Sequence, residues 1–180
     1  MKTIALFGGS FDPPHIGHET IVKALCNFDF LDKIVVMPTF LNPFKDTFFA
    51  PAELRLSWLR KMFLNYKKVI VSSYEVDKQT KVPTIESVEH LLKEYDKVYL
   101  IIGADNLKSL NRWHRFEDLK NLVTFIVATR NDIKVDDSFL KLDVKEDISS
   151  SCLRVNIQEY KLPKIIKNEI LQYYKEKNEK

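Results

Sequence analysis

Cysteine is almost absent from the sequence. Cys26 and Cys152 are the only two, and their separation fits neither a zinc site nor a redox pair. Both are expected to be small buried hydrophobes, in a chain suited to the cytoplasm. No apolar run approaches the ~20 residues needed to cross a bilayer, so no membrane partner is expected. The run Thr3–Phe7 is too short for a secretion signal, ends in a charged loop and lacks a small-residue cleavage site; it reads as a first strand. Glycine is scarce, four in 180 residues, and there is no internal repeat, low-complexity segment or long linker. The net charge is only +3. That is compatible with small anionic ligands but too weak for a nucleic-acid-binding face. The lysines are scattered, and those gathered near the C-terminus (Lys164, Lys167, Lys175, Lys177, Lys180) read as a solvated helix face.

Hydrophobic residues make up 45% of the chain and charged residues 29%, an ordinary balance for a folded domain. A length of 180 residues suits one core, here a main body over 1–147 and a small C-terminal helical element over 148–180. Almost continuous apolar runs at Thr3–Phe7, Lys33–Met37, Val69–Ser73, Lys97–Ile102 and Leu122–Ala128 predict five strands buried on both faces. Helical patterns occupy Ile16–Asn27, Ala52–Asn65, Thr84–Tyr95 and, less clearly, Asp105–Asn121. In the second, Leu54, Trp58, Leu59, Met62 and Phe63 repeat at helical spacing, which makes Trp58 a core residue. The alternation predicts an α/β fold: a Rossmann-like, doubly wound parallel sheet with helices on both faces. Ligands of such sheets bind at the carboxyl ends of the strands. Two further helices are expected at Ser150–Tyr160 and Pro163–Lys177. Pro163 would sit in a first turn, with Ile165, Ile166, Ile170, Leu171 and Tyr174 as an apolar stripe. The stretch Asn131–Asp147 reads as a loop with a short strand.

The strongest motif is Gly8-Gly9-Ser10-Phe11-Asp12-Pro13-Pro14-His15-Ile16-Gly17-His18. It follows a buried strand and opens a helix, where backbone N–H groups and the positive dipole end converge on an anion. Gly8 and Gly9 allow a phosphate close to the backbone, and the two prolines stiffen the turn. His15 and His18 are three apart, so at a helix start they share one face. Gly17 leaves room between them for a flat ring. Asp12 reads as structural, ordering its turn. A second motif, Ile148-Ser149-Ser150-Ser151-Cys152-Leu153-Arg154, places serine hydroxyls at a helix start and an arginine able to grip phosphate oxygens in bidentate fashion. Alone, it reads equally well as a plain N-cap with a surface arginine.

The first motif resembles the signature of the HxGH nucleotidyltransferase superfamily, and the second its Ile-Ser-Ser-Thr-x-Ile-Arg element, with Ser151 and Leu153 as departures. Three further segments resemble the bacterial nicotinate mononucleotide adenylyltransferases. They are Pro38-Thr39-Phe40-Leu41-Asn42-Pro43-Phe44-Lys45, Ile101-Ile102-Gly103-Ala104-Asp105 with Trp113 after it, and Phe125-Ile126-Val127-Ala128-Thr129-Arg130. Lys78 and Pro83 stand where that family often has an arginine and an aromatic.

The resemblance implies transfer of the adenylyl group of ATP to nicotinate mononucleotide, with Mg2+ accompanying ATP and no resident metal site. His18, His15 and Lys45 are the implied catalytic residues, with His18 at the transferred phosphoryl group. Gly8, Gly9, Ser10, Phe11, Gly103, Asp105, Ser150, Ser151 and Arg154 join the histidines in binding ATP, Asp105 at the ribose hydroxyls. Asn42, Lys45, Thr84, Trp113, His114 and Arg130 would bind the mononucleotide. Trp113 would stack on the pyridine ring, and backbone amides near Thr84 and His114 would receive the ring carboxylate. A core position is the alternative for Trp113, and a helix cap for Asp105. The nearest rival is a pantetheine-phosphate adenylyltransferase, which usually has lysine where Arg154 stands and lacks the tryptophan segment. The Arg-Thr-Glu-Gly-Ile-Ser-type element of cytidylyltransferases is absent, as is the Lys-Met-Ser-Lys-Ser-type loop of class I aminoacyl-tRNA synthetases. A non-catalytic nucleotide-binding regulator on the same fold is the remaining alternative. Monomer and homodimer are both compatible with the sequence, and nucleic acid is not an expected partner.

Overall fold

A computed structural model describes residues 1–129, 133–144 and 148–178. The chain runs β1 (Thr3–Gly9), α1 (Ile16–Cys26), β2 (Lys33–Pro38), α2 (Ala52–Met62), β3 (Val69–Val71), α3 (Tyr74–Lys78), α4 (Thr84–Leu91), β4 (Lys97–Gly103), α5 (Phe116–Leu122), β5 (Val123–Thr129), β6 (Leu140–Asp143), α6 (Ser150–Val155) and α7 (Lys167–Asn178). A 3-10 segment, Ala104–Arg112, follows β4, and a shorter one, Glu159–Lys161, follows α6. The strands form one parallel sheet in the order β3-β2-β1-β4-β5-β6. The winding direction reverses between β1 and β4, so their carboxyl ends diverge into a crevice.

The pleat sends successive side chains to opposite faces, and β1 shows the consequence. Ala5 and Phe7 enter one apolar layer with Val22 and Leu25 of α1 and Trp58 and Leu59 of α2. Ile4 and Leu6 enter the other, with Ile85 and Val88 of α4 and Leu119 of α5. Trp58 is fully enclosed, as its helical spacing predicts. The helix α7 joins the first layer through Ile170 and Tyr174, with Ile166 in the turn before it, and Tyr173 meets the Trp58 ring edge-on at 5.8 Å.

The short strand expected within Asn131–Asp147 is present as β6, a sixth strand paired in parallel with β5. Several other local expectations are corrected. The helix expected over Asp105–Asn121 is two pieces, a 3-10 segment and α5. Arg115 between them adopts φ 51°, a left-handed conformation that no helix continues through. The first C-terminal helix stops at Val155 rather than Tyr160. Pro163 lies in a turn, its carbonyl accepting from Ile166 N–H at 3.1 Å, and α7 begins only at Lys167. Ile165 leaves the stripe and is exposed. Cys152 is also exposed and Cys26 half-buried, so neither is a core hydrophobe. No described helix is long and apolar enough to cross a membrane.

Candidate active site

The turn after β1 sets one wall of the site. Gly8 and Gly9 close the β1–β2 ladder opposite Met37 and Pro38. A Cβ on Gly8 would meet only the Met37 carbonyl, at 3.9 Å. The missing side chain therefore leaves room on the cleft side, not inside the protein. Neither glycine has positive φ. That conformation falls instead to Phe11, φ 48°, whose buried ring packs edge-on against His18 at 4.7 Å and Phe7 at 5.3 Å. Phe11 thus backs His18 from the core and lines neither described cavity.

His15 and His18 lie at the start of α1 and stack, ring centroids 3.6 Å apart and planes 22° from parallel. The backbone N–H of His15 donates to Nδ1 of His18 at 3.1 Å. A neutral imidazole accepting at Nδ1 carries its proton on Nε2, which makes His18 a hydrogen-bond donor at its other nitrogen. Both rings line a cleft of about 330 Å³ above the carboxyl ends of β1 and β4, where the sheet order reverses. The cleft also collects Gly8, Gly9, Gly103, Asp105, Asn42, Thr84, Trp113 and His114. Trp113 is half-buried and lies at the end of the 3-10 segment, so it combines a cavity face with packing against the second apolar layer.

A second cavity of about 280 Å³ shares Thr39 and Asn42 with the first and brings together Ser10, Lys45, Ser151 and Arg154. Partial burial, then the adjacent Arg154 guanidinium, holds the Lys45 ammonium below the usual lysine value. The Asp12 carboxylate pulls the other way but is already engaged by three donors, so the two neighbouring cations form an end suited to phosphate oxygens.

The serine cluster divides its tasks. Ser149 caps α6, its Oγ accepting from Cys152 N–H at 3.1 Å. Ser150 Oγ donates to the Pro13 carbonyl at 2.9 Å, so it ties α6 to the turn after β1, and it lines neither described cavity. Only Ser151 faces the second cavity. Arg154 stacks over the Phe49 ring at 4.3 Å and donates to the Asp12 carbonyl at 2.5 Å.

Asp12 orders more than its own turn. Its carboxylate accepts from the N–H groups of Phe49 and Ala50 at 2.8 and 3.0 Å and from the Tyr174 hydroxyl at 2.8 Å. Sequence reasoning gave no site role to three residues. Arg55, 1% exposed, donates to the carbonyls of Ser10, Thr39, Phe40 and Ala50 at 2.6–2.9 Å, joining the turn to the loop that carries Asn42 and Lys45. Tyr174 anchors Asp12. Glu75 lines the main cleft from α3. The helical spacing of α2 marks Arg55 as inward-facing, but nothing local announces the other two contacts. Arg130 lies outside the described residues.

Among the described residues no group of three or more histidine, cysteine, aspartate or glutamate side chains could hold a metal ion.

Residues 6–156 match the cytidylyltransferase-like family model. The chain is 58% identical to a probable nicotinate-nucleotide adenylyltransferase of Sulfurimonas denitrificans, over 99% of this chain and 98% of that protein. It is 46% identical to one of Campylobacter fetus, over 97% and 98%. In fold it is similar to the Plasmodium falciparum nicotinic acid mononucleotide adenylyltransferase complexed with NaAD. That match has a TM-score of 0.74 and 22% identity, and covers 99% of this chain and 97% of that one. With a site built on the switch point of the sheet and relatives matching end to end, the chain belongs to the nicotinate-nucleotide adenylyltransferase family, within the cytidylyltransferase-like fold.

Proposed function

We infer that the chain transfers the adenylyl group of ATP to nicotinate mononucleotide, releasing pyrophosphate and forming nicotinate adenine dinucleotide. The observation that carries this reading is the paired cavity. One part is a half-apolar cleft with two stacked imidazoles, and it adjoins a second part that brings Lys45 and Arg154 together.

The chemistry needs no nucleophilic side chain. A phosphate monoester has a second pKa near ~6 and is largely dianionic at neutral pH. Its oxygen attacks the α-phosphorus of ATP as the bond to the β-phosphate oxygen breaks, and the electron pair leaves with pyrophosphate. The protein's task is to align two anions and to neutralise charge on the transferring group. We assign His18, through Nε2–H, to the α-phosphoryl oxygens, and His15, Ser10, Ser151, Arg154 and Lys45 to the phosphates. The backbone amides of the turn after Gly9 are further candidate donors. Gly103 and Asp105 receive the adenosine ribose. Asn42, Trp113 and the amides near Thr84 and His114 hold the mononucleotide, a set to which the resemblance adds Arg130. The donor set suits anions, and the Asp12 carboxylate is already engaged by three donors. Mg2+ therefore belongs with ATP, held by phosphate oxygens and water. We place the reaction in the cytoplasm, in keeping with two free thiols.

The test is pyrophosphate release with ATP and, in turn, nicotinate mononucleotide, nicotinamide mononucleotide and phosphopantetheine. Nicotinate mononucleotide is expected to be turned over fastest. Turnover with phosphopantetheine alone, or with none of the three, overturns the reading.

A further inference from the structure

Glu75 is 5% exposed, lies on α3 and lines the same cleft as Thr84, Trp113 and His114. Its Oε1 accepts from Ser87 Oγ at 2.6 Å, and Ser87, itself 1% exposed, belongs to the first turn of α4. Its Oε2 is buried and has no hydrogen-bond partner among the described residues. A desolvated carboxylate with one oxygen unserved is an expensive ion, and a cheaper neutral acid. Burial accordingly pushes the Glu75 carboxyl up to about 7; Glu86 adds to the rise and the Ser87 hydrogen bond opposes it.

We propose that Glu75 is a specificity-determining residue of the mononucleotide subsite. As the neutral acid it leaves the positive end of α4 open to an anionic ring substituent, and as the carboxylate it turns that end against one. This rests on the function proposed above, which puts a ring carboxylate near the amides at Thr84. Because Oε2 is closed off from solvent, Glu75 acts through the electrostatic field at the helix start rather than by touching substrate. An amide substituent carries no charge and is nearly indifferent to that field.

The charged groups around Glu75 are few. The other titratable residues lining the cleft are His15, His18, Asp105 and His114. On α3, Asp77 accepts from Ser73 and Lys78 sits over the Tyr74 ring. On α4, Glu86 raises the Glu75 value, Glu89 pairs with Arg115 and His90 stacks on Tyr74. Arg55, on the neighbouring α2, donates to four carbonyls.

The experiment measures kcat/KM for nicotinate and nicotinamide mononucleotides with ATP across the range from about pH 6 to about pH 9. Titration of the substrate phosphate, near ~6, is common to both and cancels in their ratio. In the wild type the acid-to-amide ratio is expected to fall roughly tenfold as pH rises, one decade for each ~1.4 kcal/mol of lost interaction, with a midpoint near about 7. In Glu75→Gln the ratio is expected to stay flat at the wild-type low-pH value. In Ser87→Ala the midpoint is expected to move to higher pH, because the bond that holds the Glu75 value down is gone. A fall that persists unchanged in Glu75→Gln assigns the effect to another group and overturns the proposal. Should Glu75→Gln not fold, an unmoved midpoint in Ser87→Ala overturns it instead. Pyrophosphate release from neither mononucleotide sinks the function itself. Turnover with a pH-independent ratio in the wild type sinks only the role of Glu75.

Discussion

The Tyr174 hydroxyl donates to Oδ1 of Asp12 at 2.8 Å across 162 positions of sequence, and both groups are buried. Burial and the Asp12 carboxylate together push the tyrosine hydroxyl far above its ordinary value, so it stays a donor at any working pH. The phosphate turn is thereby fastened to a helix beyond the sheet. Tyr174→Phe removes the donor and little volume. It is expected to lower stability by about 1.5–3 kcal/mol, the range for a hydrogen bond to a charged group, with an unchanged denaturant slope. Urea unfolding followed by circular dichroism reads both quantities.

Asp12→Ala strands three donors at once, two amides and a hydroxyl, and is expected to cost more than Tyr174→Phe in the same assay. Equal losses in the two variants would show that the loop amides of Phe49 and Ala50 contribute nothing to the anchor.

Gly8 marks the place where protein ends and ligand space begins. With only a 3.9 Å contact awaiting a Cβ, Gly8→Val is expected to fold with stability within about 1 kcal/mol of wild type, since strand geometry favours a β-branched residue. Its KM for ATP should rise at least about tenfold. An unchanged KM would place the triphosphate elsewhere.

His18→Ala is expected to lower kcat by about 10²–10³, the loss that follows removal of one preorganised donor to a transition state, while circular dichroism and thermal midpoint stay close to wild type. A fully active variant rejects the assignment of His18 to the transferring phosphoryl group.

The Glu75 carboxyl makes stability depend on pH, with a sign set by burial. Its folded value, about 7, stands above its ordinary value of 4.5, so the folded state holds the proton more tightly. The favourable contribution is complete below the ordinary value and is lost as pH rises through the folded one. Glu75→Gln cannot ionise. It is expected to match wild type near about pH 4 and to exceed it by roughly 3 kcal/mol above about pH 8. Chemical unfolding at the two pH values provides the check, and a gap that does not widen with pH would contradict it.

The parts of this molecule legible in sequence are those whose cause is local. The strands β1, β2, β4 and β5 are dense apolar runs because both sheet faces are covered, and the glycine-proline-histidine turn carries its chemistry in consecutive residues. β6 was less plain because Leu140-Lys141-Leu142-Asp143 buries one residue of four, as an edge strand can. α3 spans five residues, too few for any periodicity to show. The strand order and the bonds of Tyr174 and Ser87 depend on where distant segments come to rest, and no window of sequence holds both partners. Motif membership alone gives Ser150 and Phe11 to the ligand. Their side chains also brace the turn, Ser150 at the Pro13 carbonyl and Phe11 against His18, contacts that rest on rotamer and burial rather than residue type.

The attachment of α7 to Asp12 makes one carboxylate a shared joint. Helix, turn and the Phe49–Ala50 loop all close on that acceptor, so a displacement of any one of the three is passed to the other two.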